Sequence, residues 1–304
     1  MVKKLLMGNE AIARGAIEAG LNLATAYPGT PSSEIIGALA ERAGEFQYYV
    51  EWSVNEKVAM EVAAGAAYAG AKTLVAMKQV GLNVASDPLM SLAYIGVQGA
   101  MVVVVADDPG PHSSQTEQDT RTFAKFAKLP VFDPAGPREA LAMTKAAFEV
   151  SRRHGLPVFL RPTTRVCHAT EGVEFSEIEA NQPDGFEKDP KWVIFPRLSY
   201  LKHQWLEEEL PKIAAEFSSG VWNRIEPGGR LGILTGGVSY LYAKEAAAAL
   251  GLDPTIIKIG TPHPFPKGRA GDFLARVDRV IVIEELDPVL EEGIIQLAAE
   301  TGFK

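Results

Sequence analysis

The sequence predicts an α/β fold built on a largely parallel sheet, and three observations carry that expectation. From residue 21 to residue 160, short apolar runs alternate with segments of helical spacing, the pattern of strand–helix–strand units. The run Ala100–Ala106, AMVVVVA, is apolar throughout and lacks the alternation of a half-exposed strand, so both its faces are expected to be covered. A second, smaller set of strands and helices begins at Gly229, beyond a polar stretch rich in Asp, Glu and Pro.

The elements follow in order. Residues 9–19 place Ile12, Ala16 and Ala19 on one side of a helix, with Gly20 as its C-cap. Residues 21–26 are a short strand. The turn Tyr27-Pro28-Gly29-Thr30-Pro31-Ser32-Ser33 leads into a helix through Ile35, Ile36 and Leu39, with Thr30 expected at the N-cap and Pro31 at the first position. Residues 48–52 run into a helix expected to open at Ser53, where Ser53 and Glu56 match a capping box. Residues 73–77 are a buried strand, followed by a loop over 78–83 and a helix over 87–94. After Ala100–Ala106, residues 107–117 have the composition of a loop. Ser114 and Glu117 match a second capping box, opening a helix towards Phe126. A strand at 131–132, a helix at 138–153 and a strand at 157–160 close this part.

Residues 172–228 read as a long connection, with one amphipathic helix over 200–217 that Pro211 should kink or split. Strands at 231–234, 255–259 and 280–283, with helices at 240–250, 273–277 and 290–299, form the second unit. The expected organisation is a first domain at 1–171, a connecting segment at 172–228 and a second α/β domain at 229–304.

At 304 residues the chain is long enough for two cores. Its net charge of −8 argues against a nucleic acid or an anionic membrane as the main partner. Cys167 is the single cysteine, so the chain alone can form no internal disulfide and hold no cysteine-ligated iron–sulfur cluster. No apolar run reaches membrane-spanning length, and the opening segment lacks the apolar centre of a signal peptide, so a cytoplasmic protein is expected.

Several residue groups can carry chemistry, and each also has a purely structural reading. Glu56 stands before a helix rich in Ala and Gly, whose small side chains let another backbone or a flat ligand approach closely. It is either half of the capping box or a catalytic carboxyl, with Glu51 and Glu61 as competitors. The Tyr27–Ser33 turn is either an anion site, with the Thr30, Ser32 and Ser33 hydroxyls and free N–H groups at one helix start, or a well-capped turn. Lys78, at the end of a buried strand, either binds a substrate carboxylate or points to solvent. His112 is an acid, base or oxyanion donor, or a solvated loop residue. Gly236-Gly237 hints at a nucleotide turn without the G-x-G-x-x-G spacing, so packing is the simpler account. Glu284-Glu285 reads as a solvated strand end.

Taken together, these stretches carry a resemblance. The Tyr27–Ser33 turn, then Asn55-Glu56-Lys57-Val58-Ala59, then Met77-Lys-Gln-Val-Gly-Leu-Asn-Val-Ala-Ser-Asp-Pro88, then Ala106-Asp-Asp-Pro-Gly-Pro-His-Ser-Ser-Gln-Thr-Glu-Gln-Asp119, resemble the thiamine-diphosphate-dependent 2-oxoacid:ferredoxin oxidoreductases, in particular those acting on indolepyruvate. The resemblance spans nearly the whole chain. It implies a pyrimidine-binding domain followed by a transketolase-C-terminal-like domain. It makes Glu56 the catalytic glutamate that contacts N1′ of the cofactor's aminopyrimidine, where it favours the imino tautomer that takes the thiazolium proton. It puts Pro28 and Thr30 at the cofactor and Thr30 at the substrate; Lys78 and His112 lie in loops expected to line the same cleft, and a substrate role for them is inferred from that place.

Two departures qualify this. Pyruvate-using members carry an arginine for the substrate carboxylate just after the strand that Ala100–Ala106 matches; Asp107-Asp108-Pro109 stands here, which disfavours pyruvate and fits an aryl pyruvate. The domain that holds the diphosphate and Mg2+ through a Gly-Asp-Gly motif, and the cysteine-rich region for 4Fe-4S clusters, have no counterpart in these residues. Both are therefore expected on a missing domain or a partner chain. The implied activity is oxidative decarboxylation of an aryl 2-oxoacid to its acyl-CoA, with coenzyme A consumed and ferredoxin reduced, by a homodimer within a larger complex. The isolated chain is expected to be inactive and to bind thiamine diphosphate weakly. Rival readings are a non-catalytic assembly subunit and a subunit of a non-oxidative thiamine-diphosphate decarboxylase.

Overall fold

Apolar runs without alternation need cover on both faces, and a parallel layer flanked by helices supplies it. The computed structural model describes residues 3–303. Strand β1 (Lys3–Met7) leads into helix α1 (Gly8–Glu18), and the main layer begins with β2 (Leu23–Ala26). Helices α2 (Ser33–Ala40) and α3 (Ala43–Phe46) lead to β3 (Tyr49–Trp52), and α4 (Glu56–Tyr68) to β4 (Lys72–Lys78). Helix α5 (Gln79–Ile95) leads to β5 (Ala100–Ala106), α6 (Thr120–Ala127) to β6 (Val131–Phe132), and α7 (Pro137–His154) to β7 (Val158–Leu160). These strands form a 6-stranded sheet in the order β3-β2-β4-β5-β7-β6, with every neighbouring pair parallel. All of β5 is buried, as its unbroken apolar run requires.

The ends of α7 show how local chemistry sets these elements. Pro137 opens it, where its missing N–H goes unneeded; Arg152, Arg153 and His154 sit at the negative end of the helix dipole; and Gly155, at φ +62°, closes it.

Past α8 (Thr164–His168), β8 (Thr170–Glu174) pairs antiparallel with β1 in a 2-stranded ribbon. Helix α9 (Pro196–Ser219) and strand β9 (Arg224–Glu226) lead to β10 (Gly229–Gly236), α10 (Ser239–Ala249), β11 (Pro254–Ile259), α11 (Lys267–Leu274), β12 (Arg279–Ile283) and α12 (Val289–Thr301). The second sheet has the order β12-β10-β11-β9; β12, β10 and β11 are parallel, and β9 is an antiparallel edge. The α/β class is as expected, with one parallel and one mixed sheet.

Several boundaries differ from expectation. Helix α4 starts at Glu56, because Asn55 is the N-cap and accepts the Val58 N–H at 2.9 Å; Ser53 instead donates its hydroxyl to Glu51 at 2.8 Å, so the Ser53–Glu56 capping box does not form. Thr30 is not an N-cap, since α2 begins at Ser33. The 78–83 loop does not form: Lys78 ends β4 and caps α5, which starts at Gln79 and runs on through Pro88. Asp119, not Ser114, caps α6, and Glu117 accepts the Gly110 N–H at 2.7 Å. Helix α9 is one 24-residue element across Pro211, so no split occurs there. The 273–277 helix lies earlier, as α11.

The two sheets meet through buried charge. Arg121, 1% exposed, pairs with Asp119 on its own side at 2.6 Å and with Glu284 across the seam at 2.9 Å. Glu284 also accepts the N–H groups of Leu290 and Glu291 at the start of α12, so it is a capping and pairing residue and not the solvated strand end expected. Gly237, at φ +49°, sits where a Cβ would stand 2.9 Å from Asp133 Oδ1, so close packing explains this glycine.

Glu18 ties α1 to the segment after β8. Its side chain is fully buried and accepts the Ser176 N–H at 2.9 Å, Arg14 at 2.8 Å and Lys145 at 3.1 Å. Burial pushes its pKa up, but Ser176, Arg14 and Lys145 together hold it below the usual glutamate value. A carboxylate with a depressed folded pKa contributes stability above its unfolded value, near 4.3, and loses it as pH falls. Glu18→Gln is therefore expected to cost about 1–2 kcal/mol at pH 7. In denaturant melts at a series of pH values, the gap from wild type should narrow below about pH 4.

Candidate active site

The carboxyl ends of β2, β3, β4 and β5 open on one side of the main sheet, the usual ligand side of such layers. Glu56 is the first residue of α4, fixed there by the Asn55 cap, and is 9% exposed. Its side chain lies against the first turn of α5: a Cβ at Gly81 would stand 2.5 Å from Glu56 Oε1 and 2.8 Å from its Cγ. The polar contacts around it bypass it. Asn55 bonds Val58, Ser53 bonds Glu51, and no donor among the described residues reaches the Glu56 carboxyl. The competitors differ in this respect. Glu51 is occupied by the Tyr49 hydroxyl at 2.6 Å and by Ser53, and Glu61 is exposed. A buried carboxyl without a partner in its own chain is poised for a partner from outside.

The turn after β2 stands nearby. Ser33 Oγ accepts the Gly29 N–H at 2.8 Å, and Ser32 Oγ donates to the Gly29 carbonyl at 2.9 Å, so these hydroxyls tighten the turn. Pro28 and Thr30 are exposed. Gly29 lies on the Lys78 side chain, where a Cβ would come 3.0 Å from Lys78 Cδ. Lys78 ends β4 and donates from Nζ to the Ser113 carbonyl at 3.2 Å, while Ser113 Oγ donates to the Thr30 carbonyl at 3.3 Å. The loop after β5 is thus laid over the Thr30 turn and Lys78. Gln79 and Asn83 hold it further along, through Thr116 at 2.9 Å and Gln118 at 3.1 Å.

The structure therefore brings Thr30, Lys78 and the His112 loop together around Ser113. Glu56 adjoins them through the Lys78–Gly81 turn, with no hydrogen bond to any of the three. The His112 ring is 54% exposed, with Nδ1 3.2 Å from Asp108 Oδ1.

Asp107 and Asp108 serve different ends. Burial pushes the Asp107 carboxyl up against the pull of Arg161, whose Nε donates to it at 2.6 Å. The Asp108 side chain is also fully buried, yet the Ser113 N–H, the Thr164 and Ser114 hydroxyls and the His112 N–H hold its carboxyl well below the usual range.

Sequence reasoning passed over Gly81, which makes room for Glu56, and Asp108, which organises the loop. A glycine in the first turn of a helix and an Asp before a run of hydroxyl donors were the available signals. A cleft of about 1230 Å3 between α9, α11 and α12, lined by Pro211, His263, Phe265 and Arg269, contains none of the candidate residues.

The family model described as "Pyruvate flavodoxin/ferredoxin oxidoreductase, thiamine diP-bdg" matches residues 14–195. The chain belongs to this family. As a member of the thiamine-diphosphate-binding oxidoreductase family, it is 46% identical to indolepyruvate oxidoreductase subunit IorA of Pyrococcus abyssi over 98% of this chain and 48% of that one. The same subunit of Archaeoglobus fulgidus is 45% identical over 95% of this chain and 48% of its own length. The chain thus spans about half the length of these curated relatives. The 2-oxoglutarate synthase subunit KorA of Archaeoglobus fulgidus is 28% identical over 93% of this chain and 88% of its own.

Among solved structures, the 2-oxoglutarate:ferredoxin oxidoreductase of Magnetococcus marinus superposes with a TM-score of 0.77 at 18% identity, covering 98% of this chain and 60% of that one. A split-gene transketolase gives 0.66 at 16% identity, covering 97% and 85%. These two share the fold. No helix among the described residues is long and apolar enough to cross a membrane.

Proposed function

We propose that this chain supplies the aminopyrimidine side of the thiamine diphosphate site in a 2-oxoacid:ferredoxin oxidoreductase acting on an aryl pyruvate such as indolepyruvate. The observation that carries the reading is the Glu56 carboxyl, buried, unpartnered within the chain, and given its space by Gly81. That carboxyl fits the cofactor's aminopyrimidine, one ring nitrogen of which would take the hydrogen bond that Glu56 lacks.

When bound, thiamine diphosphate supplies the carbon nucleophile and the electron sink for decarboxylation of a 2-oxoacid. Glu56 holds a proton at the pyrimidine nitrogen. Pro28 would line the edge of that ring. The Thr30 hydroxyl, the Lys78 ammonium and the His112 ring face the 2-oxoacid, and Lys78 is the cation that can meet its carboxylate. The residues 1–171 serve as the pyrimidine-binding domain, with 229–304 as the transketolase-C-terminal-like domain. The diphosphate–Mg2+ site and 4Fe-4S clusters belong to a missing domain or a partner chain, in keeping with relatives twice as long. Ferredoxin accepts the electrons, and coenzyme A takes the acyl group; the Magnetococcus structure is described with 2-oxoglutarate, coenzyme A and succinyl-CoA bound.

A homodimer is part of this proposal. Tyr27, Trp52, Val54 and Val84 are exposed, at 41%, 45%, 78% and 47%, on the strand ends and helix beside Glu56, an apolar rim suited to a covering chain.

Glu56→Gln in the assembled complex tests the reading. Turnover of indolepyruvate with ferredoxin should fall by at least about 100-fold with the assembly intact. Wild-type turnover would overturn it, as a non-catalytic assembly role requires.

A further inference from the structure

We propose that Asp108 is a positioning residue: it clamps residues 112–114 onto the Thr30 turn and Lys78, and so fixes His112 with Nε2 outward at the 2-oxoacid end of the site. The inference rests on the proposed function above and assigns a role to a residue outside that reading.

Every acceptor position of Asp108 is spent on this loop or its anchor. Oδ2 accepts the His112 N–H at 3.0 Å, the Ser113 N–H at 3.0 Å and the Ser114 hydroxyl at 2.9 Å. Oδ1 accepts the Thr164 hydroxyl at 2.7 Å and faces His112 Nδ1 at 3.2 Å. Thr164 opens α8, so the carboxylate ties the loop to a helix of the first unit. The side chain is fully buried while the His112 ring it holds is 54% exposed. The anion is thus inside and its loop outside.

The consequence passes through Ser113. That residue is held by its N–H to Asp108, donates its hydroxyl to the Thr30 carbonyl at 3.3 Å, and receives Lys78 Nζ on its carbonyl at 3.2 Å. Freed from Asp108, Ser113 can no longer fix the Lys78 ammonium relative to Thr30. His112 is placed by the same carboxylate. With Nδ1–H donating to Oδ1, the free nitrogen Nε2 is directed away from Asp108. An asparagine can turn its amide oxygen to the two backbone N–H groups and the Ser114 hydroxyl, but it accepts them without charge and its NH2 then faces His112 Nδ1, which loses its acceptor.

Asp108→Asn in the assembled complex is the test, with three readouts. The KM for indolepyruvate is expected to rise at least about tenfold, with kcat changed less, because hydrogen bonds to a charged group are lost. Amide hydrogen exchange at residues 112–114 is expected to accelerate at least about tenfold, with exchange in β4 and β5 unchanged. Thiamine diphosphate affinity, read by quenching of intrinsic fluorescence, should stay within about twofold, since Glu56 is untouched. Faster exchange with an unchanged KM would overturn the positioning role, as would an unchanged exchange rate. Should the variant fail to assemble, Ser113→Ala removes only the Thr30 link, and the same rise in KM is expected at reduced size; no rise overturns the proposal. Failure of the Glu56 reading shows separately, as an active Glu56→Gln enzyme.

Discussion

Gly81→Ala is expected to remove most activity of the assembled enzyme while leaving its thermal stability unchanged or slightly raised. Alanine is favoured over glycine within helices by up to about 1 kcal/mol, and Gly81 lies in the first turn of α5. The new Cβ would stand 2.5 Å from Glu56 Oε1, 2.8 Å from Cγ and 2.9 Å from Cδ. All three atoms belong to one flexible side chain, so the fold need not give way. The carboxyl swings aside, and a displacement on the order of 1 Å at a reacting group costs about 100-fold in rate. Turnover of indolepyruvate and differential scanning calorimetry on the same preparation check the two halves. Full activity would show that the position of Glu56 against α5 does not matter, which removes the geometric basis for its role. Combining Gly81→Ala with Glu56→Gln should add little further loss, because both act through one carboxyl.

That glycine shows where sequence reading stopped. The strands of the main sheet were legible because burial on both faces leaves an unbroken apolar run, as in Ala100–Ala106. The second sheet was legible from its short apolar runs, although only β11 is buried along its whole length and β12 is partly exposed. Residues 78–83 read as a loop from sequence, and Gly81 and Asn83 are weak helix formers. In the structure the helix begins there, and its glycine is explained by a residue 25 positions earlier, Glu56. The β1–β8 ribbon was invisible for a similar reason: Lys3 pairs with Glu174, and neither short, charged strand signals the other. At caps, local patterns misled where side chains compete. Ser53 and Ser114 each match a capping box, but their hydroxyls go to Glu51 and Asp108, and Asn55 and Asp119 cap the helices. Of the site, the residue types and their order were legible. The convergence of Thr30, Lys78 and the His112 loop on Ser113 was not, because it depends on how the loop after β5 folds back.

The seam between the sheets yields the second large effect: Arg121→Met is expected to destabilise the chain by about 3–5 kcal/mol. Arg121 is 1% exposed. Its guanidinium donates to Asp119 at 2.6 Å, to Glu284 at 2.9 Å and to the Glu285 and Asp287 carbonyls at 2.6 and 3.1 Å. Methionine fills similar volume, so the loss comes from taking the cation away from two carboxylates that keep only backbone N–H donors, and its hydrogen bonds from two carbonyls. Burial pushes the Asp119 carboxyl up, but the Arg161 and Arg121 guanidiniums hold it below the usual aspartate value. A depressed folded pKa gives stability that is complete above the unfolded value, near 3.9, and lost as pH falls. Urea melts should thus show the largest gap between wild type and Arg121→Met near neutrality and a narrowing gap below about pH 4. Asp119→Asn offers the control. Asparagine caps a helix about as well as aspartate, so this change removes charge while sparing the start of α6. The double variant should be less destabilised than the sum of the two single changes, because it no longer buries an unpaired aspartate. Additive losses would mean that Arg121 holds the seam through Glu284 and the two carbonyls, and not through Asp119.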